Sequence, residues 1–139
     1  MDGRPLPYRA GVPSTAGWTG VLASSRRFAP LDIKSVTFDC ADPIALATFW
    51  AAALGSNVDE DSTAEQAFVQ APGWGGPNIW FNKVPEPKTA KNRVHFDLRA
   101  PDTIDAEVAR LEALGATVTR RGEDIVVMID VEGNEFCVE

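Results

Sequence analysis

The 139-residue sequence contains one histidine, His95, and two cysteines, Cys40 and Cys137. A single imidazole excludes a histidine-rich metal site and leaves any Ser–His nucleophile machinery only one candidate base. Two thiols are too few for a disulfide scaffold and fit a reducing compartment, so a cytoplasmic location is expected. No apolar run approaches the roughly 20 residues that span a bilayer, and no membrane role is expected. Basic residues are in deficit, 13 Lys plus Arg against 20 Asp plus Glu, for a net charge of −7. That balance argues against nucleic-acid binding driven by the phosphate backbone. What is present is the composition of a globular core, 45% hydrophobic with 9% aromatics, in a length suited to one domain.

The charge is unevenly spread. Residues 1–30 carry Arg4, Arg9, Arg26 and Arg27 against Asp2 alone, a net of +3, which leaves −10 on residues 31–139. The same thirty residues hold Pro5, Pro7, Pro13 and Pro30 and show no hydrophobic period, so they read as a flexible extension. Arg26-Arg27 is followed by Phe28-Ala29-Pro30 and not by an apolar stretch, so no export signal is expected.

A repeat organises the remainder. Val36-Thr-Phe38-Asp39 returns as Val94-His-Phe96-Asp97, and Ala53-Leu54-Gly55 returns as Ala113-Leu114-Gly115. Asp42 is a good N-cap with Pro43 at the first helical position. Leu46, Phe49, Trp50, Ala53 and Leu54 then form an apolar stripe that Gly55 ends. In the second copy Asp102 or Thr103 caps a helix striped by Ile104, Val108, Leu111 and Leu114 and closed by Gly115. Strand-like runs follow each helix, near 57–60, 66–70 and 78–84, then 116–121, 125–129 and 134–138. The predicted fold is therefore α+β: two βαβββ units, about 33–84 and 92–139, pairing mixed sheets around a shared surface.

Several dispersed motifs carry a family resemblance: Ser35-Val-Thr-Phe-Asp39, Phe49-Trp50 with Leu54-Gly55, Arg93-Val-His95-Phe-Asp97-Leu98, and Asp130-Val-Glu-Gly133-Asn-Glu135-Phe-Cys137. Together they resemble the vicinal oxygen chelate superfamily, in its glyoxalase-like and bleomycin-resistance-like branches. The resemblance covers roughly residues 33–139, within a glyoxalase-like domain expected over 31–139. It implies curved sheets whose concave faces line a shared cavity, with the helices on the convex side, and a homodimer. Metal-using members place His, Gln or Glu on the first strand of each unit and Glu on the last. The matching positions here are Ser35, Arg93 and Cys137, so neither a metal nor another cofactor is expected. His95, Glu135 and Cys137 remain open as a displaced set.

Strand alternation sorts the side chains. Val36, Phe38 and Cys40, and likewise Val94, Phe96 and Leu98, should meet the helices. Thr37 and Asp39, then Arg93, His95, Asp97 and Arg99, should face the cavity, joined from the last strand by Glu135 and Cys137. His95, the one imidazole, is the acid–base candidate, with Glu135 and Arg93 as its catalytic partners. Thr37, Asp39, Asp97, Cys137, Trp80 and Phe81 are candidate ligand contacts, with Phe68 beside them, and Trp74 in its Gly-rich loop is a candidate lid. Lys83, Lys88 and Lys91 are candidate anion contacts at the rim. Two function classes follow for a small-molecule partner. One is a metal-independent lyase or isomerase working through His95. The other is a non-catalytic protein that sequesters a bulky aromatic or cationic compound.

Overall fold

The computed structural model describes residues 30–71 and 75–139. Strand β1 (Ser35–Cys40) leads into helix α1 (Pro43–Leu54), followed by β2 (Gln66–Val69) and β3 (Asn78–Lys83). The second copy runs β4 (Asp97–Leu98), α2 (Ile104–Ala113), β5 (Thr117–Arg121), β6 (Val126–Ile129) and β7 (Glu135–Val138). Both helix starts follow from capping chemistry. The Asp42 carboxylate accepts from Ala45 N–H, and the Thr103 hydroxyl accepts from Ala106 N–H. Gly55 ends α1 at φ +70°, the left-handed conformation that glycine adopts without steric cost.

The strands form two open mixed sheets, ordered β1-β3-β2 and β4-β7-β6-β5. In each, the first strand of the copy lies parallel to the last and the remaining pairs are antiparallel. The copies differ in one strand. The expected strand near 57–60 is reduced to a single bridge between Val58 and Val69, whereas its counterpart β5 forms in full. Residues Ile33–Glu139 make up one compact unit. The expectation of a flexible extension falls, apart from Pro30, outside the described residues. Among those residues no helix is long and apolar enough to cross a membrane.

Register shows how the copies correspond. Phe38 lies beside Phe81, and Leu98 beside Val138; all four pack into the core. Phe38 thus corresponds to Leu98, sixty positions on, the same offset that relates Gly55 to Gly115. The Val36/Val94 match in the sequence is two residues out of this register. That offset explains one correction. Val94, expected on the helix side, stands 80% exposed at a bend before β4, while Phe96, Leu98 and Ala100 turn inward.

The core runs through both copies as a chain of aromatic rings. Trp50 meets Phe38, Phe49, Phe96 and Phe136 with centroids 5.2–5.8 Å apart. Such tilted and edge-on pairs each add about 0.5–1.5 kcal/mol beyond the area they bury. The indole Nε1–H donates to the Asp130 carboxylate at 3.0 Å, deep in the interior. Asp130 also accepts from the backbone N–H groups of Glu132 and Asn134 and from the Asn134 side-chain amide. The turn thus shaped points the Glu132 carboxylate at the start of α1, where it accepts from Ala41 N–H at 2.7 Å and Asp42 N–H at 3.0 Å. The second copy therefore supplies acceptors for backbone donors at the entry to the first copy's helix. Arg110 on α2 returns the arrangement at the other end, donating to the Ala52 and Ala53 carbonyls of α1.

Candidate functional site

Each sheet buries one face and leaves the other open. On the first sheet, Ala67, Val69, Ile79 and Phe81 face the core, so Phe68 and Trp80, their neighbours in the pleat, face outward. The register places Thr37, Trp80 and Phe68 in one row across this open face. The two rings lie 4.5 Å apart, inclined at 44°. They border a cavity of about 360 Å³ whose rim carries Asp59, Asp61, Ser62, Thr63 and Gln66. Phe81 is fully buried and stacks on Phe38 at 5.5 Å, which corrects its expected place beside Trp80. Successive residues of a strand cannot share a face.

A second cleft, about 290 Å³, opens between β1 and the segment leading into β4. Phe38 and Phe96 border it, and Thr37, Asp39, Asn92, His95, Asn134 and Glu135 provide its polar wall. Four of the expected site residues, Thr37, Asp39, His95 and Glu135, thus come together here. Arg93 does not join them; it stands exposed at the bend before β4 and is absent from the cleft lining. Glu135 is already engaged, accepting from the Lys88 ammonium at 3.0 Å and from Asn92 N–H at 2.9 Å. Burial alone would raise its pKa, but those two donors outweigh it and hold the carboxyl below its ordinary value. Lys88, expected as an anion contact, is committed to this ion pair and to the Ala90 carbonyl. Lys83 lies within 3.9 Å of Glu65, and Lys91 is exposed. Trp74 lies outside the described residues.

The open face of the second sheet carries the remaining candidates. Asp97 on β4 lies directly beside Cys137 on β7. His95, two residues before Asp97, brings Nδ1 to 3.7 Å from the Asp97 carboxylate. Cys137 is buried, and burial followed by the Asp97 charge pushes its thiol pKa up. An uncoordinated Cys137 is thus a protonated thiol and a poor nucleophile. His95, Asp97 and Cys137 each offer a ligand atom, all within 4.8 Å of one another.

The match to a family model settles the relationship. The model of the glyoxalase-like domain matches residues 35–139. The chain belongs to the glyoxalase-like domain family. That membership places it in the vicinal oxygen chelate superfamily, and solved structures agree at the level of fold. A glyoxalase/bleomycin resistance protein/dioxygenase family enzyme from Burkholderia phytofirmans PsJN is 21% identical, with a TM-score of 0.63 over 78% of this chain and 97% of that one. The fosfomycin resistance protein FosX from Listeria monocytogenes, in a mutant form complexed with Mn(II) and 1S,2S-dihydroxypropylphosphonic acid, is 14% identical, with a TM-score of 0.63 over 80% and 90%. Lactoylglutathione lyase from Agrobacterium tumefaciens is 20% identical, with a TM-score of 0.54 over 79% and 93%. No curated protein matches the chain.

The glyoxalase-like neighbours thus include enzymes and resistance proteins, and one of them was solved with a metal. The set Ser35, Arg93 and Cys137 does not fit such an ion. Ser35 is a neutral hydroxyl on β1, and Arg93 is a cation exposed at its bend, so only Cys137 offers a donor of metal-binding type. The structure instead gathers His95, Asp97 and Cys137, of which only His95 and Cys137 belong to the displaced set raised from the sequence.

Proposed function

We propose that this glyoxalase-like chain binds a planar aromatic cation on the open face of its first copy, as a sequestering protein. The observation that carries the reading is the Phe68–Trp80 pair, two half-buried rings turned away from the core beside a cavity edged by Asp59 and Asp61. Rings on an exposed sheet face lower their free energy by stacking, and nearby carboxylates favour a positively charged partner. A cation held over such a ring gains about 0.5–2 kcal/mol beyond apolar burial. The lyase reading draws less support. Arg93 lies outside the His95 cleft, and Glu135 is held by Lys88 and Asn92.

The test is fluorescence titration with a phenanthridinium dye and with a neutral analogue of the same ring size. The cation should bind more tightly, Trp80→Ala should weaken it at least about tenfold, and Asp59→Asn with Asp61→Asn should erase the preference for charge. Dye binding unchanged by Trp80→Ala would defeat the reading. Conversion of a bound compound to product, lost in His95→Ala, would move the chain to the lyase class.

A further inference from the structure

A third cavity, about 710 Å³, lies where the end of β1, the linker between the copies and the turn between β6 and β7 come together. We infer that it is a binding site for a linear aliphatic polyamine, a chain of ammonium groups separated by methylenes. The inference rests on none of the residues in the reading above, and such a ligand has no ring to stack on Trp80.

Contacts between distant parts of the chain build the walls. Val84 N–H donates to the Cys40 carbonyl at 2.9 Å, which fixes the start of the linker against β1. The Asn92 side-chain amide donates to Asn134 Oδ1 at 3.1 Å, which fixes the end of the linker against the turn. The space between them falls within the range of about 300–1,000 Å³ typical of small-molecule sites. Ala41, Ala45, Val84, Pro87 and Val131 supply the apolar part of the lining, and Val131 stands 43% exposed.

Charge narrows the ligand. Asp39, Asp42, Glu86 and Glu132 all border the cavity, and among the described residues no basic side chain pairs with any of them. Lys88, also on the lining, is neutralised by Glu135. A cleft lined by one sign of charge focuses its field and concentrates cations. Burial first, then Glu132, Asp42 and Asp39, raise the Cys40 thiol pKa to about 11, the same field acting on a neighbouring group. Four carboxylates alone would make a solvated face or a metal cage. Among the described residues, however, no three of them bring their oxygens together as a single ion requires. The negative charge is spread around apolar surface, and a polyamine matches that pattern: its methylenes cover the apolar lining while its ammonium groups reach the carboxylates. Lys88 displays the fit. Its alkyl stem borders the cavity, and its ammonium donates to the Ala90 carbonyl at 2.6 Å and to Glu135 at 3.0 Å. Two of the carboxylates are already held in place, Glu132 by the Ala41 and Asp42 N–H groups and Asp42 by Ala45 N–H. Binding there costs little side-chain ordering.

Isothermal titration calorimetry of the full chain with spermidine, at low ionic strength, tests the site without reference to any activity. One equivalent should bind, and octylamine, with a single ammonium, should bind at least about tenfold more weakly. Asp39→Asn with Glu86→Gln should raise the spermidine Kd at least about fivefold. Ala45→Arg, which sets a cation in the cavity from an exposed position on α1, should raise it at least about tenfold. Trp80→Ala, and Asp59→Asn with Asp61→Asn, should leave it within about twofold, so the two sites stand or fail separately. Four results overturn the site: no saturable binding, a Kd unchanged in both sets of cavity variants, a Kd raised instead by the Asp59 and Asp61 changes, or octylamine or Mg(II) binding as tightly as spermidine. Should Ala45→Arg fail to fold by circular dichroism, the Asp39 and Glu86 changes decide alone.

Discussion

Replacing Asp130 by alanine should be among the most damaging single changes in the chain. The side chain is 3% exposed and accepts from Trp50 Nε1–H, from the backbone N–H groups of Glu132 and Asn134, and from the Asn134 amide, at 2.9–3.1 Å. Three of these donors are buried, and each buried donor left without an acceptor costs about 1–3 kcal/mol. Taking the lower part of that range, and allowing for the desolvation cost that leaves with the carboxylate, Asp130→Ala should lose about 3 kcal/mol. Against a typical stability of about 5–15 kcal/mol, that is a large fraction. Asp130→Asn keeps one acceptor oxygen but turns an amide toward a donor, and should lose about 1–2 kcal/mol. Trp50→Phe removes the partner, and the two changes should not add: a double-mutant cycle should return a coupling of about 1–2 kcal/mol. Urea unfolding followed by far-ultraviolet circular dichroism measures all of these. A loss below about 0.5 kcal/mol for Asp130→Ala, the range of ordinary surface changes, or strict additivity with Trp50→Phe would refute the clamp.

Four further outcomes follow from other contacts in the structure. Burial, reinforced by Glu132, Asp42, Asp39 and Asp130, raises the Cys40 thiol pKa from 9.0 to about 11, so at pH 8 only about one thiolate in a thousand is present and alkylation by iodoacetamide should be slow until the chain unfolds. Because the folded value is the higher one, the Cys40 contribution is complete below pH 9 and is lost as pH rises toward 11; Cys40→Ala should flatten that decline in a pH series of urea midpoints. Arg110→Ala should cost about 1 kcal/mol in thermal unfolding by uncovering the α1 carbonyls at Ala52 and Ala53, and Arg110→Lys should recover only part of it. Gly115→Ala should destabilise by more than about 1 kcal/mol, since φ is +112° and the new methyl would lie 2.9 Å from Val131 Cγ1; Gly133→Ala, at φ +85° with open space, should cost less by the same measurement.

Local chemistry made the helices legible in the sequence. Asp42, Pro43 and Gly55 mark α1 by interactions that span a turn or less, and Thr103 does the same for α2. Strand ends were harder, because pairing decides them. The segment near 57–60 keeps one bridge, and β4 shrinks to Asp97–Leu98 since the chain bends at Arg93–Val94 before it meets β7. Matching letters between the copies aligned Val36 with Val94, whereas packing aligns Phe38 with Leu98. Alternation alone would have separated Trp80 from Phe81. The role of Asp130 was not legible, because its partner Trp50 lies 80 positions away in the chain.

That separation bears on how the chain reaches its fold. Glu132 meets Ala41 across 91 positions and Asp130 meets Trp50 across 80, so the first helix finds its acceptors only after a very long loop has closed. Contacts of this span slow folding, because the entropy of closure precedes the reward. Cut after residue 91, the first copy would leave the Trp50 indole and the amides at the head of α1 without their acceptors. The duplication is thus visible in shape yet not in autonomy: each half is written as a module, and neither is thermodynamically complete until the other is present.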